Sequence, residues 1–521
     1  MTRDITTPTA DIATDVIVVG GGGSGLAAAI EAASLERRVV LVEKNPKLGG
    51  STAWSVGSIS ASNTPHQLKQ GILDSPDDHF ADMGLFCAKV NLPDNLVLRR
   101  VLIDNVSDTF RWLLSIGVVF HGPLMQPPHR KPRMHNVLPN SRAYIFHLGR
   151  RARKLGVDIR LDTRVRDIVM AGGSAAGVRC DTPAGPLAIR ARGGVVLACG
   201  DFGGDVAMRA EHISATIAAA RPINPTNTGD GHRLVQALGG RILNAHHHLA
   251  GVRFVPPPPS WVLSIPPWPL VTRFISWSLD HMPAALLRPF VMSFLTTVLQ
   301  SSPELYREGA VLINRAGRRF NDEPTAPTES LAAQPEGEAF ILLDGNLVDK
   351  FSGPPCHVST APGIAYGYIP DYRRSRRDIF HEAPRLDALA LKLGIDPAAL
   401  ARTIDGYNND NTPPSGSATN GASPRGNRPK LERGPWVALG PVRHYITFTD
   451  SGVAVNERHE VLGANDAPIP GLYAAGFIGM GGMLLEGLGH HLGWAFTSGR
   501  RAGRFAAFRA TTSDPGSPTA N

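Results

Sequence analysis

The chain has 521 residues, more than one hydrophobic core usually holds, so we expect two domains. Hydrophobic residues make up 42% and charged residues 19%, which is typical of a soluble globular protein and excludes an intrinsically disordered one. The formal net charge is +8, but the positive residues are scattered apart from short runs such as Arg373–Arg374 and Arg376–Arg377. Because no nucleic-acid motif accompanies them, we expect no nucleic-acid partner.

The four cysteines form no CxxC pair and lie far apart, at Cys87, Cys180, Cys199 and Cys356. This spacing argues against a disulfide framework, a zinc site or an iron–sulfur cluster, and we expect no metal. Residues 1–14 contain no apolar run of the kind a secretory signal needs. The expected location is therefore the cytoplasm, with peripheral membrane contact considered below.

A β-α-β unit comes first. Asp15–Val19 reads DVIVV, an apolar run typical of a buried parallel strand, and Leu26–Ala33 is alanine-rich and helical. Val39–Val42 is the second strand, which ends at Glu43. Between the first strand and the helix lies GGGGSG, residues 20–25.

These glycines fit G-x-G-x-x-G with Gly20, Gly22 and Gly25. The first permits a tight turn, the second lets the backbone approach a pyrophosphate, and the third lets helix and strand pack closely. The helix N-terminus offers free N–H groups and a positive dipole to phosphate, and Glu43 is placed to accept from ribose hydroxyls. The unit therefore predicts binding of the ADP half of a dinucleotide.

Further β-α material continues to about residue 240 and includes a buried strand at Gly194–Ala198. The middle of the chain differs. It contains an apolar Pro/Trp-rich stretch (254–300), a strand-like segment at 310–320, an amphipathic helix at Leu386–Leu393 and a second helix opened by Asp396–Pro397. Residues 409–433 are rich in Pro, Gly, Ser and Asn and predict a long exposed loop.

The simplest architecture is α/β: a Rossmann-like dinucleotide-binding domain with an inserted α+β cap. We expect residues 14–240 and 441–510 to form the nucleotide-binding domain and 241–440 the cap or substrate domain. Residues 511–521 are expected to be a disordered tail.

Four motifs resemble the fumarate reductase / 3-ketosteroid dehydrogenase superfamily of flavoproteins. KNPKLGGSTAW (44–54) continues from Glu43 as that superfamily's E-K-x-x-x-x-G-G-[ST]. GGVVLACGDFGGD (193–205), NTGDG (227–231) and GLYAAG (471–476) follow in the same order, and residues 489–493 and 498–503 resemble its closing element. The resemblance spans about 14–505 and implies FAD as the cofactor.

The resemblance implies cofactor contacts at residues spread along the chain. They are Gly20, Gly22, Gly23, Ser24, Gly25, Glu43, Lys44, Gly49, Gly50, Ser51, Thr52, Val165, Gly200, Thr228, Gly229, Asp230, Gly476, Phe477, His491 and Leu492. The succinate dehydrogenase branch carries a histidine for covalent flavin attachment after its glycine pair. Here residues 51–54 read STAW, so we expect FAD to be bound non-covalently.

The resemblance also implies addition or removal of two hydrogens across a carbon–carbon bond next to a carbonyl. Fumarate reductases carry one substrate arginine near the position of Pro327 and another near the C-terminus, and this chain has neither. A dicarboxylate needs such cationic clamps, so fumarate is disfavoured. The tyrosines of ketosteroid dehydrogenases are also missing, since their C-terminal position falls on Leu485 or Glu486.

Glu486, Tyr445 and His490 are the candidate catalytic residues. Glu486 lies in the apolar stretch GMGGMLLEGLG, where burial would raise its pKa toward neutrality and suit it to proton abstraction; alternatively it is an exposed acid or a partner of the last helix. Tyr445, with His444, could donate to a carbonyl or be a core tyrosine, and His490 could point toward or away from substrate.

Two further groups are weaker candidates. Tyr366 and Tyr368 lie where we expect the cap to return to the core. The run of three histidines at 246–248 has no carboxylate or cysteine at metal-ligand spacing and is more typical of a cap strand or surface.

The stretch 254–300 holds Trp261, Trp268 and Trp277, but prolines and charged side chains interrupt it, so we expect no transmembrane helix there. It could wall an apolar substrate pocket, lie on a bilayer surface or form ordinary cap core. The first two interpretations favour a lipophilic substrate.

We therefore predict an FAD-dependent oxidoreductase acting on CH–CH bonds of a hydrophobic ketone, with 3-ketosteroid dehydrogenase-like chemistry as the best candidate and a separate electron acceptor. One alternative is a fumarate-reductase-like ene-reductase of an unsaturated carboxylate. Another is a flavin-binding protein that has lost catalysis.

Overall fold

The computed structural model describes residues 11–258, 264–296, 299–320, 323, 330–361, 365–410 and 425–512. Its strands, in chain order, are β1 (Ile12–Thr14), β2 (Val16–Val19), β3 (Val39–Val42), β4 (Ser58–Ser60), β5 (Val119–Leu124), β6 (Met134–Leu138), β7 (Asp158–Arg160), β8 (Arg164–Ala171), β9 (Ser174–Thr182), β10 (Gly185–Ala191), β11 (Val195–Leu197), β12 (Arg221–Pro222), β13 (Ile242–Leu243), β14 (His248–Phe254), β15 (Gln300–Ser301), β16 (Val311–Asn314), β17 (Ala339–Leu343), β18 (Ser359–Ala361), β19 (Ala365–Gly367), β20 (Phe380–Ala383), β21 (Trp436–Thr449), β22 (Gly452–Val453), β23 (Glu460–Leu462) and β24 (Pro468–Ala474).

The α-helices are α1 (Gly23–Ser34), α2 (Pro65–Lys69), α3 (Pro76–Cys87), α4 (Leu96–Ser115), α5 (Arg142–Lys154), α6 (Val206–His212), α7 (Ala215–Ala219), α8 (Asp230–Gln236), α9 (Pro269–His281), α10 (Ala284–Leu295), α11 (Pro303–Arg307), α12 (Gly345–Lys350), α13 (Ile369–Ser375), α14 (Leu386–Leu393), α15 (Pro397–Asn409) and α16 (His490–Thr512).

The nucleotide-binding part is built on a six-stranded sheet of order β23-β24-β11-β2-β3-β7. Its pairs are parallel except β23 with β24. β2, β3 and β11 are short apolar runs in which every residue is buried, as expected of parallel strands covered on both faces. The predicted β-α-β unit and the α/β fold class are confirmed.

The two ends of the chain meet where α1 packs on α16. A Cβ added to Gly499 would lie 2.3 Å from the carbonyl oxygen of Ser24, and one added to Gly503 would lie 2.2 Å from that of Ala28. The two backbones therefore approach more closely than side chains would permit. This contact places the start of α16 beside the glycine-rich turn.

A second apolar cluster surrounds a mostly antiparallel sheet of order β16-β17-β21-β14-β15-β18-β19, in which β12 and β20 also pair with β21. β21 continues past the predicted domain boundary at 440/441, and β12 comes from the part of the chain assigned to the FAD-binding domain. The division into a 14–240 and 441–510 domain and a 241–440 cap stays a prediction.

Three smaller sheets complete the fold: β1-β10-β9-β8, β4-β6-β5 and β13-β22. The predicted helix at 386–393 is α14, and Asp396 caps α15 by accepting from the N–H of Ala398. In the predicted loop 409–433, residues 411–424 lie outside the described residues. In the predicted tail, Thr511 and Thr512 end α16, and 513–521 lie outside the description.

The α1–α16 contact predicts that Gly503→Ala destabilises the protein by about 1–3 kcal/mol, because the added methyl must push the two helices apart. Gly406→Ala in α15 is the matched control, since no atom lies within 4 Å of its added Cβ. The control should be neutral or stabilising by up to about 1 kcal/mol. Thermal unfolding followed by circular dichroism measures both; equal melting temperatures would contradict the close-packing argument.

Candidate flavin and substrate site

A cavity of about 390 Å³ opens at the carboxyl ends of β2, β3 and β11, the usual position of ligands in open α/β sheets. Most of the cofactor-binding residues expected from the sequence line it, together with Glu486. They are Gly20, Gly22, Gly23, Ser24, Glu43, Lys44, Gly50, Ser51, Thr52, Val165, Gly200, Asp230, Gly476, Phe477, His491 and Leu492.

Four expected cofactor residues support the cavity without lining it. A Cβ on Gly25 would lie 1.9 Å from the Gly20 carbonyl oxygen, which agrees with its predicted role in helix–strand packing. Gly49 donates its N–H to the Gly21 carbonyl at 3.0 Å. Thr228 accepts from Lys44 Nζ at 2.6 Å, and Gly229, with φ +67°, precedes α8. Direct cofactor contact by these four stays a prediction.

Glu43 is held in place at the end of β3. Its Oε2 accepts from the N–H of Gly21 at 2.6 Å, and its Oε1 accepts from the backbone and side-chain amides of Asn45 at 2.9 and 2.7 Å. Oε2 therefore keeps a lone pair for a further donor, whereas Asn45 occupies both lone pairs of Oε1. Since Glu43 lines the cavity, this arrangement fits the ribose hydroxyls of a bound dinucleotide.

Asp230 lies between two cations beside this position. Its Oδ2 is 2.7 Å from Lys44 Nζ and its Oδ1 is 2.7 Å from Arg164 Nη2. Burial would raise the pKa of Asp230, but the hydrogen bonds and charges of Lys44 and Arg164 outweigh it and lower that pKa. Lys44 and Arg164 therefore reach the cavity already paired with an acid.

The residues present fit FAD. Gly22 caps α1 and faces Gly50, and a Cβ on Gly50 would lie 3.1 Å from the Gly22 Cα, so side chains there would close the space. The N-terminus of α1 suits the pyrophosphate, and Glu43 the ribose. Asn224 and Asn227 both donate to Ser51 Oγ, at 3.0 and 2.9 Å, and fix the 50–52 turn.

At the other end of the cavity, two imidazoles and two carboxylates form two hydrogen-bonded pairs, which an ion pair between His247 and Asp450 joins into one network. His247 Nε2 lies 3.0 Å from Glu486 Oε1 and 3.4 Å from Asp450 Oδ2. His491 Nε2 donates to Asp450 Oδ1 at 3.0 Å. All four side chains line the cavity. Glu486 therefore lies in the site as predicted, but with a histidine partner that the sequence interpretation did not foresee.

The pKa expected for Glu486 was wrong. The hydrogen bond from His247 lowers the pKa of Glu486 and outweighs burial, which alone would raise it. The same hydrogen bond raises the pKa of His247, with further support from the charges of Asp450 and Glu486. The proton of this pair therefore belongs to the imidazole, and Glu486 is the carboxylate that holds it there.

Arg253 brings a further cation to the cavity from β14. Its Nη2 donates to Thr447 Oγ1 at 2.9 Å, and its Nε is buried without a hydrogen-bond partner. Within the described part of the chain, no carboxylate forms an ion pair with it. Burial lowers the pKa of Arg253 to about 10, so it remains charged at neutral pH.

The other two catalytic candidates do not line this cavity. His490 is buried, donates from Nδ1 to the Glu486 carbonyl at 2.6 Å and places Nε2 3.2 Å from His79 Nε2. Burial lowers the pKa of His490 to about 4. Tyr445 is buried in β21 opposite Gly251. Tyr366 and Tyr368 also lie outside the lining.

Two groups of side chains place three potential metal ligands within 4.8 Å of one another. His247, Asp450 and Glu486 form the first, in which His247 hydrogen-bonds Glu486 while Asp450 accepts from His491. His79, His129 and His490 form the second, which includes an imidazole that accepts from the Arg133 guanidinium at 3.0 Å, an unfavourable neighbour for a metal cation. The absence of a metal site stays a prediction.

Sequence reasoning missed His247, Asp450 and Arg253. The histidine run was interpreted as cap strand or surface; His248 does begin β14, but His247 and His248 both line the cavity. Arg253 follows on the same strand. Asp450 directly follows β21 and belongs to the sequence TDSG (449–452). Its position at the end of a strand was the feature from which it could have been predicted as a site residue.

The profile of the FAD binding domain family matches residues 15–260 and 282–484, most of the chain. The chain belongs to this family. Its cofactor is FAD, and the predictions that it is a flavoprotein oxidoreductase related to fumarate reductases are confirmed.

Three relatives illustrate the range of the family. NADH:fumarate oxidoreductase of Klebsiella pneumoniae (strain 342) is 27% identical over 89% of this chain, which spans 44% of that protein's length. Urocanate reductase of Eggerthella lenta is 26% identical over 95% of this chain and 74% of its own. Digoxin reductase of the same organism is 24% identical over 95% and 87%.

Solved structures share the fold. A flavocytochrome c3 fumarate reductase in an open conformation superposes with a TM-score of 0.72 at 24% identity, covering 96% of this chain and 79% of that one. The 3-ketosteroid-Δ4-(5α)-dehydrogenase of Rhodococcus jostii RHA1 gives 0.59 at 24% identity, over 96% and 98%. Among the described residues, no helix is both long and apolar enough to span a bilayer.

Replacing Gly22 by Val should abolish FAD retention. Gly22 has φ −83° and ψ −171°, which any residue can adopt, and its added Cβ would be 3.7 Å from the nearest atom, so the fold should tolerate the change. The branched side chain would nevertheless occupy the cavity where the glycine lines it. Flavin absorbance near about 450 nm relative to protein absorbance measures the bound cofactor.

The matched control is Gly353→Val, which meets no atom within 4 Å and lies outside the cavity. Full flavin content in Gly22→Val would show that this turn does not hold the cofactor.

Proposed function

We propose that this protein is an FAD-dependent oxidoreductase that adds or removes two hydrogens across a carbon–carbon bond next to a carbonyl of a hydrophobic small molecule. The observation that carries the proposal is the His247–Glu486 pair, which holds a proton inside the cavity that the FAD-binding residues line. The names of relatives that reduce fumarate and urocanate support the reaction class.

Bound FAD supplies hydride transfer to or from a carbon atom. The protein must handle the accompanying proton. His247 keeps a proton because Glu486 accepts from it and Asp450 lies 3.4 Å away. In the reducing direction the imidazolium keeps its Nε2–H on Glu486 and gives its Nδ1 proton to the neighbouring carbon, and in the oxidising direction the unprotonated Nδ1 removes one.

Arg253 and Thr447 form the second part of the site. A hydride or proton transfer next to a carbonyl builds negative charge on the carbonyl oxygen, which a buried cation stabilises. Arg253 lines the cavity, and the hydrogen bond found for it among the described residues is the one to Thr447, so the guanidinium has N–H donors left for such an oxygen. We propose that it polarises the substrate carbonyl.

The lining of the cavity favours an uncharged substrate. Apolar side chains contribute to the lining of the cavity, among them Val56, Leu249, Phe448, Leu485 and Leu488. Of the cations that line the cavity, Lys44 and Arg164 are paired with Asp230, which leaves Arg253 for the substrate. Two carboxylates, Asp450 and Glu486, would repel a dicarboxylate such as fumarate. A lipophilic enone, with a 3-ketosteroid as best candidate, fits this balance.

A second candidate is an unsaturated monocarboxylate, reduced by an ene-reductase. Arg253 together with His247 and His491 could hold one carboxylate group, and the relatives named for fumarate and urocanate support it. In either case we propose that a separate electron donor or acceptor completes the turnover.

The experiment is an anaerobic screen in both directions. Oxidised enzyme is mixed with saturated lipophilic ketones and bleaching of the flavin is recorded; enzyme reduced with dithionite is mixed with enones or with enoates, and flavin reoxidation is recorded. Reaction with ketones or enones supports the first candidate, and reaction with enoates alone supports the second. No reaction with either class would indicate a flavin-binding protein that has lost catalysis.

His247→Gln should lower the rate of substrate reduction by about 10²–10⁴-fold, because it removes the proton donor. Glu486→Gln should instead shift the pH profile. Glu486 raises the pKa of His247, so the imidazolium persists to higher pH, and activity that needs it is lost as pH rises through that pKa. Without the carboxylate, that loss should begin at lower pH.

Stopped-flow reoxidation of the reduced flavin across pH measures both variants. Glu457→Gln, an exposed acid outside the cavity, is the control and should keep the wild-type profile. An unshifted basic limb in Glu486→Gln would rule out His247 as the proton donor.

Arg253→Met should weaken transition-state stabilisation and lower kcat/KM by about 10²–10³-fold. Arg253→Lys keeps the charge and should retain more activity. Steady-state kinetics with the substrate found in the screen, together with FAD content, measure these effects. If Met and Lys behave alike while FAD content is unchanged, charge at Arg253 does not act on the substrate.

A further inference from the structure

Helix α9 is amphipathic in the reverse sense for a surface helix. Its buried residues include Thr272 and Ser278, two small polar residues whose hydroxyls donate back to the carbonyls of Trp268 and Phe274 at 3.1 and 2.9 Å. Ordinarily the face toward the protein is apolar and the face toward water is polar. In α9 large apolar side chains face outward.

The outward side chains follow helical spacing. Leu270, Phe274, Trp277 and His281 lie four, three and four residues apart, and the first three are 80%, 64% and 52% exposed. Phe274 and Trp277 are stacked with ring centroids 6.3 Å apart, and Trp277 stacks on His281 at 5.3 Å. These residues form one contiguous stripe, not isolated exposed side chains.

The stripe extends beyond α9 at both ends. Trp268, directly before the helix, is 58% exposed, and Leu286 on the following helix α10 is 66% exposed. We call Trp268, Leu270, Phe274, Trp277 and Leu286 the apolar face. No described residue of 254–300 lines the FAD cavity, so this face is not the wall of the substrate pocket that the sequence interpretation considered.

Positive charge lies near the apolar face, together with one acid of α9, Asp280, which is 3.9 Å from His121 Nδ1. Arg273 lies on the exposed side of α9, and no ion pair with it is found in the described ranges. Helix α5 carries five Arg and Lys residues and no acidic one, and its buried His147 lies against the backbone of Pro267, next to Trp268. On the same helix, exposed Arg150 lies over the ring of Phe146.

We propose that the apolar face docks on the surface of a bilayer that contains anionic lipid. Tryptophans beside exposed arginines, on a short helix with an outward apolar stripe, are the arrangement that favours the headgroup region. A basic border attracts anionic headgroups, whereas a second copy of this chain would bring the same positive charge to the contact. Helix α9 has 13 residues, so the contact lies in the plane of the interface.

The test uses flotation of the FAD-loaded protein with vesicles of phosphatidylcholine alone or with about 30% phosphatidylglycerol. We expect the protein to float with the anionic vesicles. Phe274→Ser/Trp277→Ser should reduce the bound fraction about tenfold or more, because it removes the apolar contact. Arg150→Glu/Arg273→Glu should reduce binding to the anionic vesicles and leave the elution volume in size-exclusion chromatography unchanged.

The matched control is Leu391→Ser/Phe508→Ser, which removes two side chains that are 69% and 52% exposed elsewhere on the molecule. It should bind as the wild type does. Absence of wild-type flotation, or equal loss in the control, would overturn the proposal. So would a dimer in size-exclusion chromatography that Phe274→Ser/Trp277→Ser dissociates, since a second copy would then cover the face. These readouts do not depend on turnover.

Discussion

The close backbone contacts among β2, α1 and α16 at the glycine-rich turn determine where the other residues of the site lie. A Cβ at Gly25 would meet the carbonyl of Gly20, so the start of α1 can pack this closely on the end of β2 only with glycine at position 25. Gly499 and Gly503 then bring α16 against α1 with no side chain between them. As a result, a helix from the far end of the chain delivers His491 and Leu492 to the cavity that begins at residue 20.

The proposed substrate end of the cavity is built differently. The arginines expected of a dicarboxylate enzyme are missing, and carboxylates at Asp450 and Glu486 occupy the cavity with two histidines. A carboxylate that accepts from an imidazole stabilises the charged imidazole and loses basicity itself. The network therefore assigns the proton to His247, whereas Glu486 considered alone would have been the base.

Burial separates residues that the sequence could not distinguish. His490 and His491 are neighbours at the start of α16, yet His491 lines the cavity and His490 packs against His79. The same holds for Thr272 and Phe274 on α9, where the polar residue is inside and the aromatic one outside. In both helices the direction of the side chain is decided by the element packed beside it.

The sequence alone determined the cofactor half. The apolar strands, the glycine spacing and Glu43 depend on contacts within a few residues, and such local requirements leave a pattern that can be recognised. Only the tertiary structure decided the substrate half. His247 and Arg253 come from the start and end of the β14 segment and Asp450 from the end of β21, and all three line one cavity with Glu486 although more than thirty to more than two hundred residues separate them from it. No spacing rule links such positions, because the pairing of two distant strands brings them together.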